Sequence, residues 1–237
     1  MRRWLQPGDG FIDAGANLGL YSHAVAGHFS GQVRVLALEA SPHLVARLEL
    51  GARLLGEMNI QPVQVAVGAE AGEVAFHLAR PGMTTVSQSM RIADAEAGDY
   101  ERHVLPMQPL APLARRYLPT TPIGAVKIDV EGAEPLAVCG APAEWLGENG
   151  PLWLVEINVP VLARMNFLPG DAIRHFPAAA FERWLLPKYP FPGQPPARLR
   201  PFGDDEAFAD ANFYNLIAVP LGPGQAARRA RVRGFFP

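Results

Sequence analysis

Four short apolar runs, each carrying a carboxylate at or near its end, set the strongest limit on how this chain can fold. They are Gly10-Phe-Ile-Asp13, Val33-Arg-Val-Leu-Ala-Leu-Glu39, Ala125-Val-Lys-Ile-Asp129 and Leu152-Trp-Leu-Val-Glu156-Ile157. Each is far too short to cross a membrane and reads as a buried strand. Helical patterns lie between them. The spacing predicts helices over 18–29, 42–55, 110–117 and 133–139. The second of these is marked by Ser41 as N-cap and Pro42 at the first helical position, with Leu44, Leu48 and Leu55 on one face. Further strands are expected at 60–67, 74–78, 181–186 and 213–219, while 81–104 carries no clear pattern. Strands alternating with helices predict βαβ units, hence an α/β fold with a parallel sheet and helices on both faces. Ligands of such sheets bind beyond the carboxyl ends of the strands. Asp13, Glu39, Asp129 and Glu156 are therefore expected on one rim.

Proline and glycine concentrate around 105–124 and 187–203, and both stretches read as loops inside one domain covering 1–237. With 49% apolar residues and a net charge of -2, the chain is composed like an ordinary globular protein. So small a charge argues against a nucleic-acid binder held mainly by phosphate contacts. Arg228, Arg229, Arg231 and Arg233 cluster near the end and read as a solvated or frayed terminus. The single cysteine, Cys139, excludes an intrachain disulfide and a cysteine-built zinc site, and its place in an apolar run suggests buried packing. The six histidines have no ligand spacing, so no metal site is assigned. Neither a membrane span nor a signal peptide is legible, which makes a cytoplasmic location the expectation.

The turn Asp13-Ala-Gly15-Ala-Asn17-Leu-Gly19 follows a strand and opens a helix. Glycine serves where backbone takes a positive φ or approaches a ligand closely. A helix start also offers free N–H groups to a carboxylate or phosphate. A tight turn with no ligand would look the same, and the spacing loosely resembles a dinucleotide fingerprint. Asp13 tilts the choice: a negative charge there disfavours a pyrophosphate and suits the cationic amino group of S-adenosylmethionine. Glu39, with Ala40 beside it, closes the next strand and can accept both ribose hydroxyls in a bidentate manner. That feature suits either cofactor. The reading therefore favours a methyl donor, with a nicotinamide-dependent oxidoreductase of similar fold as the alternative. A non-catalytic, partner-binding version of the fold is a third.

The chain resembles the FkbM family of methyltransferases. The resemblance rests on Phe11-Ile-Asp-Ala-Gly-Ala-Asn-Leu-Gly-Leu-Tyr21, Leu38-Glu-Ala-Ser-Pro42, Asn59 with Ala66-Val-Gly68, Val126-Lys-Ile-Asp-Val-Glu-Gly-Ala-Glu134 and Leu154-Val-Glu-Ile157. The segment ending at Glu134 is the most specific of these. The resemblance implies a Rossmann-like class I fold with a mostly parallel seven-stranded sheet whose last strand is antiparallel. It implies S-adenosylmethionine as cofactor and methyl transfer to a hydroxyl of a small molecule such as a sugar or natural product. Asp13, Gly15, Asn17 and Gly19 would then meet the methionine end and Glu39 the ribose, with Asp129 and Glu131 near the methyl group and acceptor. The chain departs from the family at Leu110-Ala111, where members often have an aspartate after the leucine. Residues 159–212 carry no recognisable motif and are expected to supply acceptor-site loops.

Transfer of a methyl group to a hydroxyl needs the acceptor aligned and its proton removed. Asp129 is the leading candidate base and Glu131 the next. Lys127 shares Asp129's face of an extended strand and can hold that carboxylate ionised. A plainer reading makes Lys127 a neutraliser of buried acids, with Glu131 and Glu134 as acids in a first helical turn. Thr84, Thr85 and Ser87 are candidates for the acceptor mouth, and loop composition alone explains them equally well. His103 and His175 read as surface residues, and Trp145, Trp153 and Trp184 as core.

Overall fold

The computed structural model describes residues 1–79, 100–187, 198–203, 208 and 213–235. The amino-terminal half contains β1 (Gly10–Ala14), α1 (Leu20–His28), β2 (Arg34–Glu39), α2 (Pro42–Leu55), β3 (Ile60–Gln64), β4 (Ala66–Val67), β5 (Gly72–Ala79) and β6 (Tyr100–Gln108). Then follow α3 (Leu110–Tyr117), β7 (Ile123–Ile128), α4 (Glu134–Cys139), β8 (Leu152–Asn158), α5 (Val159–Arg164), α6 (Pro169–Ile173), β9 (Phe181–Pro187), β10 (Arg200–Pro201), β11 (Phe213–Pro220) and α7 (Ala226–Val232).

Among the described residues these form an eight-stranded sheet in the order β10-β9-β11-β8-β7-β1-β2-β3, and a small sheet β4-β6-β5. Strands β3, β2, β1, β7 and β8 run parallel, and β11 enters antiparallel between β8 and β9. The expected antiparallel last strand is thus present, and the two-residue β10 adds an eighth strand at the edge. Pro62 lies in β3, at the opposite edge, where no neighbouring strand needs its missing N–H.

Alternation along each strand divides the core. Ile12, Leu36, Leu38, Val126, Ile128 and Val155 pack on one face, under α3, α4, α5 and α6. Phe11, Val35, Ala37, Ala125 and Leu152 pack on the other with α1, α2 and Trp4. Trp4 is fully buried, and its indole Nε1 donates to the Gly124 carbonyl at 2.8 Å.

Several expectations are corrected. The run 60–67 breaks after Gln64, because Ala66–Val67 leaves the large sheet to pair with Met107 and Gln108 of β6. The proline-containing stretch 105–124 is ordered as the end of β6, α3 and the start of β7; Pro109 caps α3 and Pro112 sits in its first turn, where a missing N–H costs nothing. Leu55 is exposed, since α2 ends there, and Val45 and Ala52 join Leu44 and Leu48 on the buried face. Cys139 is exposed at the end of α4, which buries Ala137 and Val138 instead; its Sγ lies 3.5 Å from His175 Nε2. Trp153 and Trp184 are core as expected, whereas Trp145 is half-buried.

The arginine cluster is not frayed. Arg228, Arg229 and Arg231 lie in α7, which clasps the amino-terminal segment, and Arg233 follows its end, exposed. Arg228 pairs with Asp9 through both carboxylate oxygens at 2.5 and 2.8 Å, and Arg231 donates to the Arg3 and Trp4 carbonyls. Arg229 donates to the carbonyls of Pro220 and Gly222 at the end of β11. Thr84, Thr85 and Ser87 lie outside the described residues, as does most of 187–203. No helix among the described residues is long and apolar enough to cross a membrane.

Candidate active site

A cleft of about 520 Å³ opens beyond the carboxyl ends of β1, β2, β7 and β8, where the topology reverses. Gly15, Asn17, Glu39, Ala40, Lys127, Asp129 and Glu131 line it, together with Glu156. Gly19 lies behind it as the left-handed N-cap of α1. Asp13 also lies behind, with no exposed surface.

The turn after β1 is built around backbone that only small or polar residues tolerate. Gly15 has φ of 72°, and a Cβ there would overlap the Asp129 carbonyl oxygen. Asn17 is also left-handed, a conformation its residue type accepts more readily than most. The amides of Gly15 and Ala16 both donate to the Leu38 carbonyl, at 2.9 and 3.0 Å. This ties the turn to β2 and brings Glu39 beside it. Glu39 accepts from the Asn17 amide through Oε2 at 2.8 Å and from the Ser41 amide through Oε1 at 2.9 Å. Burial pushes its pKa up, against the opposing pull of these amides and of Lys127. Each carboxylate oxygen keeps a lone pair for a ligand hydroxyl, so the site fits a ribose. Leu44, Val65, Val67 and Phe76 add an apolar wall suited to a planar base.

Asp13 and Lys127 stand directly opposite one another in the register of β1 and β7. Lys127 Nζ is 3.2 Å from Asp13 Oδ1 and 3.8 Å from Asp129 Oδ2, and it donates to the Gly15 carbonyl at 2.6 Å. The Tyr21 ring lies 5.6 Å from the ammonium, and Ser22 Oγ donates to Asp13 Oδ2 at 2.7 Å. Burial alone would lower the Lys127 pKa, but the Asp13 and Asp129 charges outweigh it and the net shift is upward. Lys127 is therefore a fixed cation that neutralises two carboxylates and holds the glycine turn.

The far side of the cleft is acidic: Asp129, Glu131 and Glu156, with Asn158 and Phe213. The turn from Asp129 takes a left-handed conformation at Glu131 and Gly132, with φ of 55° and 98°. Among the described residues no group of three or more His, Cys, Asp or Glu is placed to hold a metal ion. A neighbouring groove of about 700 Å³ is walled by Val159, Ala163, Phe167, Ile173, Phe202 and Phe208. Neither His103, in β6, nor His175, after α6, lines the cleft.

Sequence reasoning missed Tyr21, Ser22, Asn158 and Phe213. Their types carry no signal of their own; only the meeting of α1, β8 and β11 at the rim selects them. Glu156 was visible as a strand-ending acid.

A Rossmann-like sheet with its cleft at this reversal, floored by a glycine turn and flanked by strand-ending acids, defines a class I methyltransferase fold. The model of the methyltransferase FkbM domain matches residues 13–180, and the chain belongs to that family. The fold is similar to the crystal structure of an FkbM methyltransferase from Methylobacillus flagellatus, with a TM-score of 0.51 and 14% identity over 89% of this chain and 43% of that one. The chain thus spans less than half of that protein. A putative rRNA methylase from Clostridium thermocellum gives a TM-score of 0.51 with 11% identity, over 93% of this chain and 91% of that chain. An rRNA methylase from Streptococcus thermophilus also gives 0.51, with 12% identity over 93% and 92%. No curated protein matches the chain.

Proposed function

We propose that this chain is an S-adenosylmethionine-dependent methyltransferase that methylates a hydroxyl oxygen of a small molecule. The observation that carries the reading is the placement of Glu39 and the Gly15 turn on one side of a single cleft, with Asp129 and Glu131 on the other. S-adenosylmethionine, the cofactor, supplies when bound a methyl group already activated on a sulfonium. The chain's own part is binding, alignment and proton removal. Glu39 accepts from the ribose hydroxyls, the turn of Gly15, Asn17 and Gly19 cradles the methionine end, and Ala40 borders the nucleoside. Asp13 acts from behind through Lys127, which holds Asp129 in place. Asp129 takes the proton of the acceptor hydroxyl, and Glu131 orients the acceptor.

The described residues of 159–212 supply the acceptor side of a single domain, with the apolar groove beside α5 receiving the body of the acceptor. The apolar lining of that groove favours a small, largely uncharged acceptor. Calorimetric titration with S-adenosylhomocysteine is expected to give micromolar binding that Glu39→Ala abolishes. Wild-type protein that binds neither this ligand nor S-adenosylmethionine ends the proposal. Mass spectrometry of a panel of hydroxyl compounds incubated with enzyme and cofactor is expected to show a methyl ether, and Asp129→Asn to suppress it.

A further inference from the structure

Glu134 has no exposed surface, yet it belongs to no part of the cleft described above. It is the first residue of α4, and an acid there would ordinarily be explained by the helix dipole. Its own amide fits that explanation, but its other hydrogen bonds reach beyond it. Oε1 accepts from the Val130 amide at 2.9 Å, and Oε2 accepts from the Gly132 amide at 3.0 Å, with Gly132 also 3.2 Å from Oε1. These donors lie upstream of the helix, in the turn that follows Asp129. That turn is strained, with a non-glycine residue, Glu131, held left-handed. Such a conformation persists only where its surroundings over-determine it.

The clamped turn touches both sides of the cleft. The Asp129 carbonyl occupies the place a Cβ of Gly15 would take, and Val130 Cγ1 lies 3.4 Å from the same point. On its other side, Val161 and Met165, in and just after α5, close on Gly132 to within 2.9 Å of where a Cβ would stand. We propose that Glu134 is a positioning residue whose buried carboxylate fastens the Asp129–Gly132 turn against the Gly15 turn, so that the cofactor and acceptor walls of the cleft form one rigid unit. This rests on the methyltransferase reading. Burial, followed by the neighbouring Asp129 charge, works against ionisation of the carboxyl, whose pKa is pushed up to about 7 despite the amides that favour its charged form. A residue placed only to start a helix would sit in water and escape that cost.

The test is S-adenosylhomocysteine affinity in the full chain. Glu134→Ala leaves two buried amides without an acceptor and is expected to weaken binding about tenfold, although Glu134 does not touch the ligand. Glu134→Gln keeps one carbonyl oxygen facing the amides and is expected to recover most of the loss. Wild-type affinity in a folded Glu134→Ala protein overturns the inference, as does a Gln variant no better than Ala. Should the Ala variant not fold, amide hydrogen exchange in the wild type decides. Ligand binding is expected to slow exchange at Val130 and Gly132, and unchanged rates there overturn the proposal. Wild-type protein that fails to bind the ligand at all refutes the methyltransferase reading instead, which keeps the two failures distinct.

Discussion

Lys127 and Glu134 show how two buried charges in one short segment come to do different work. Lys127 meets carboxylates on both sides, so its positive form is stabilised and serves as a fixed counter-charge. Glu134 is fully buried, and that burial, with another carboxylate nearby, outweighs the backbone amides that favour its charged form. The consequence for stability has a definite sign. The unfolded chain releases the Glu134 proton near 4.5, whereas the folded protein holds it to about 7. Between those values the folded state binds more protons, so stability falls as pH rises through the window and levels off above it. Glu39, also raised by burial, adds a fall of the same sign. Denaturant unfolding at a series of pH values is expected to show this decline, and Glu134→Gln to flatten it. An unchanged slope in the variant would show that Glu134 ionises normally in the fold.

The arginine-rich α7 binds the chain ends together. Asp9 is buried just ahead of β1 and accepts both guanidinium nitrogens of Arg228. The pair is largely shielded, with side-chain exposures of 17% for Arg228 and 4% for Asp9. Removing one partner of a buried pair strands the other charge, at a cost of about 3 kcal/mol. Arg228→Ala is therefore expected to lower unfolding free energy by about that amount, and the double variant with Asp9→Asn to lose less than the sum of the two singles. Strict additivity in that cycle would mean the two residues do not interact. Because α7 grips Trp4, whose indole reaches Gly124 just ahead of the apolar part of β7, the clasp also supports the strand that carries Lys127.

For the molecule as a whole, order of protection should follow sheet position. β1, β7 and β8 are central and covered on both faces, while β5 and β6 belong to the small sheet, with Val104 exposed. Amide exchange is expected to be slowest in β1 and β7 and faster in β5 and β6; equal protection would show that the small sheet opens only with the whole fold. The apolar runs, their closing acids and the glycine turn are local patterns of period and residue type, and they alone determined the parallel core, the rim and the family resemblance. Asp13, Gly15, Glu39, Lys127 and Asp129 were legible for that reason. What the pattern could not carry is contact between distant segments. The register that sets Asp13 against Lys127, the breakaway of Ala66–Val67, the exposure of Cys139, the folding of the arginine tail onto Asp9 and the reach of Glu134 back to Val130 each depend on where another part of the chain lies. Those were decided by tertiary structure, because a buried charge or strand edge is stable only against a particular partner, and sequence spacing does not name it.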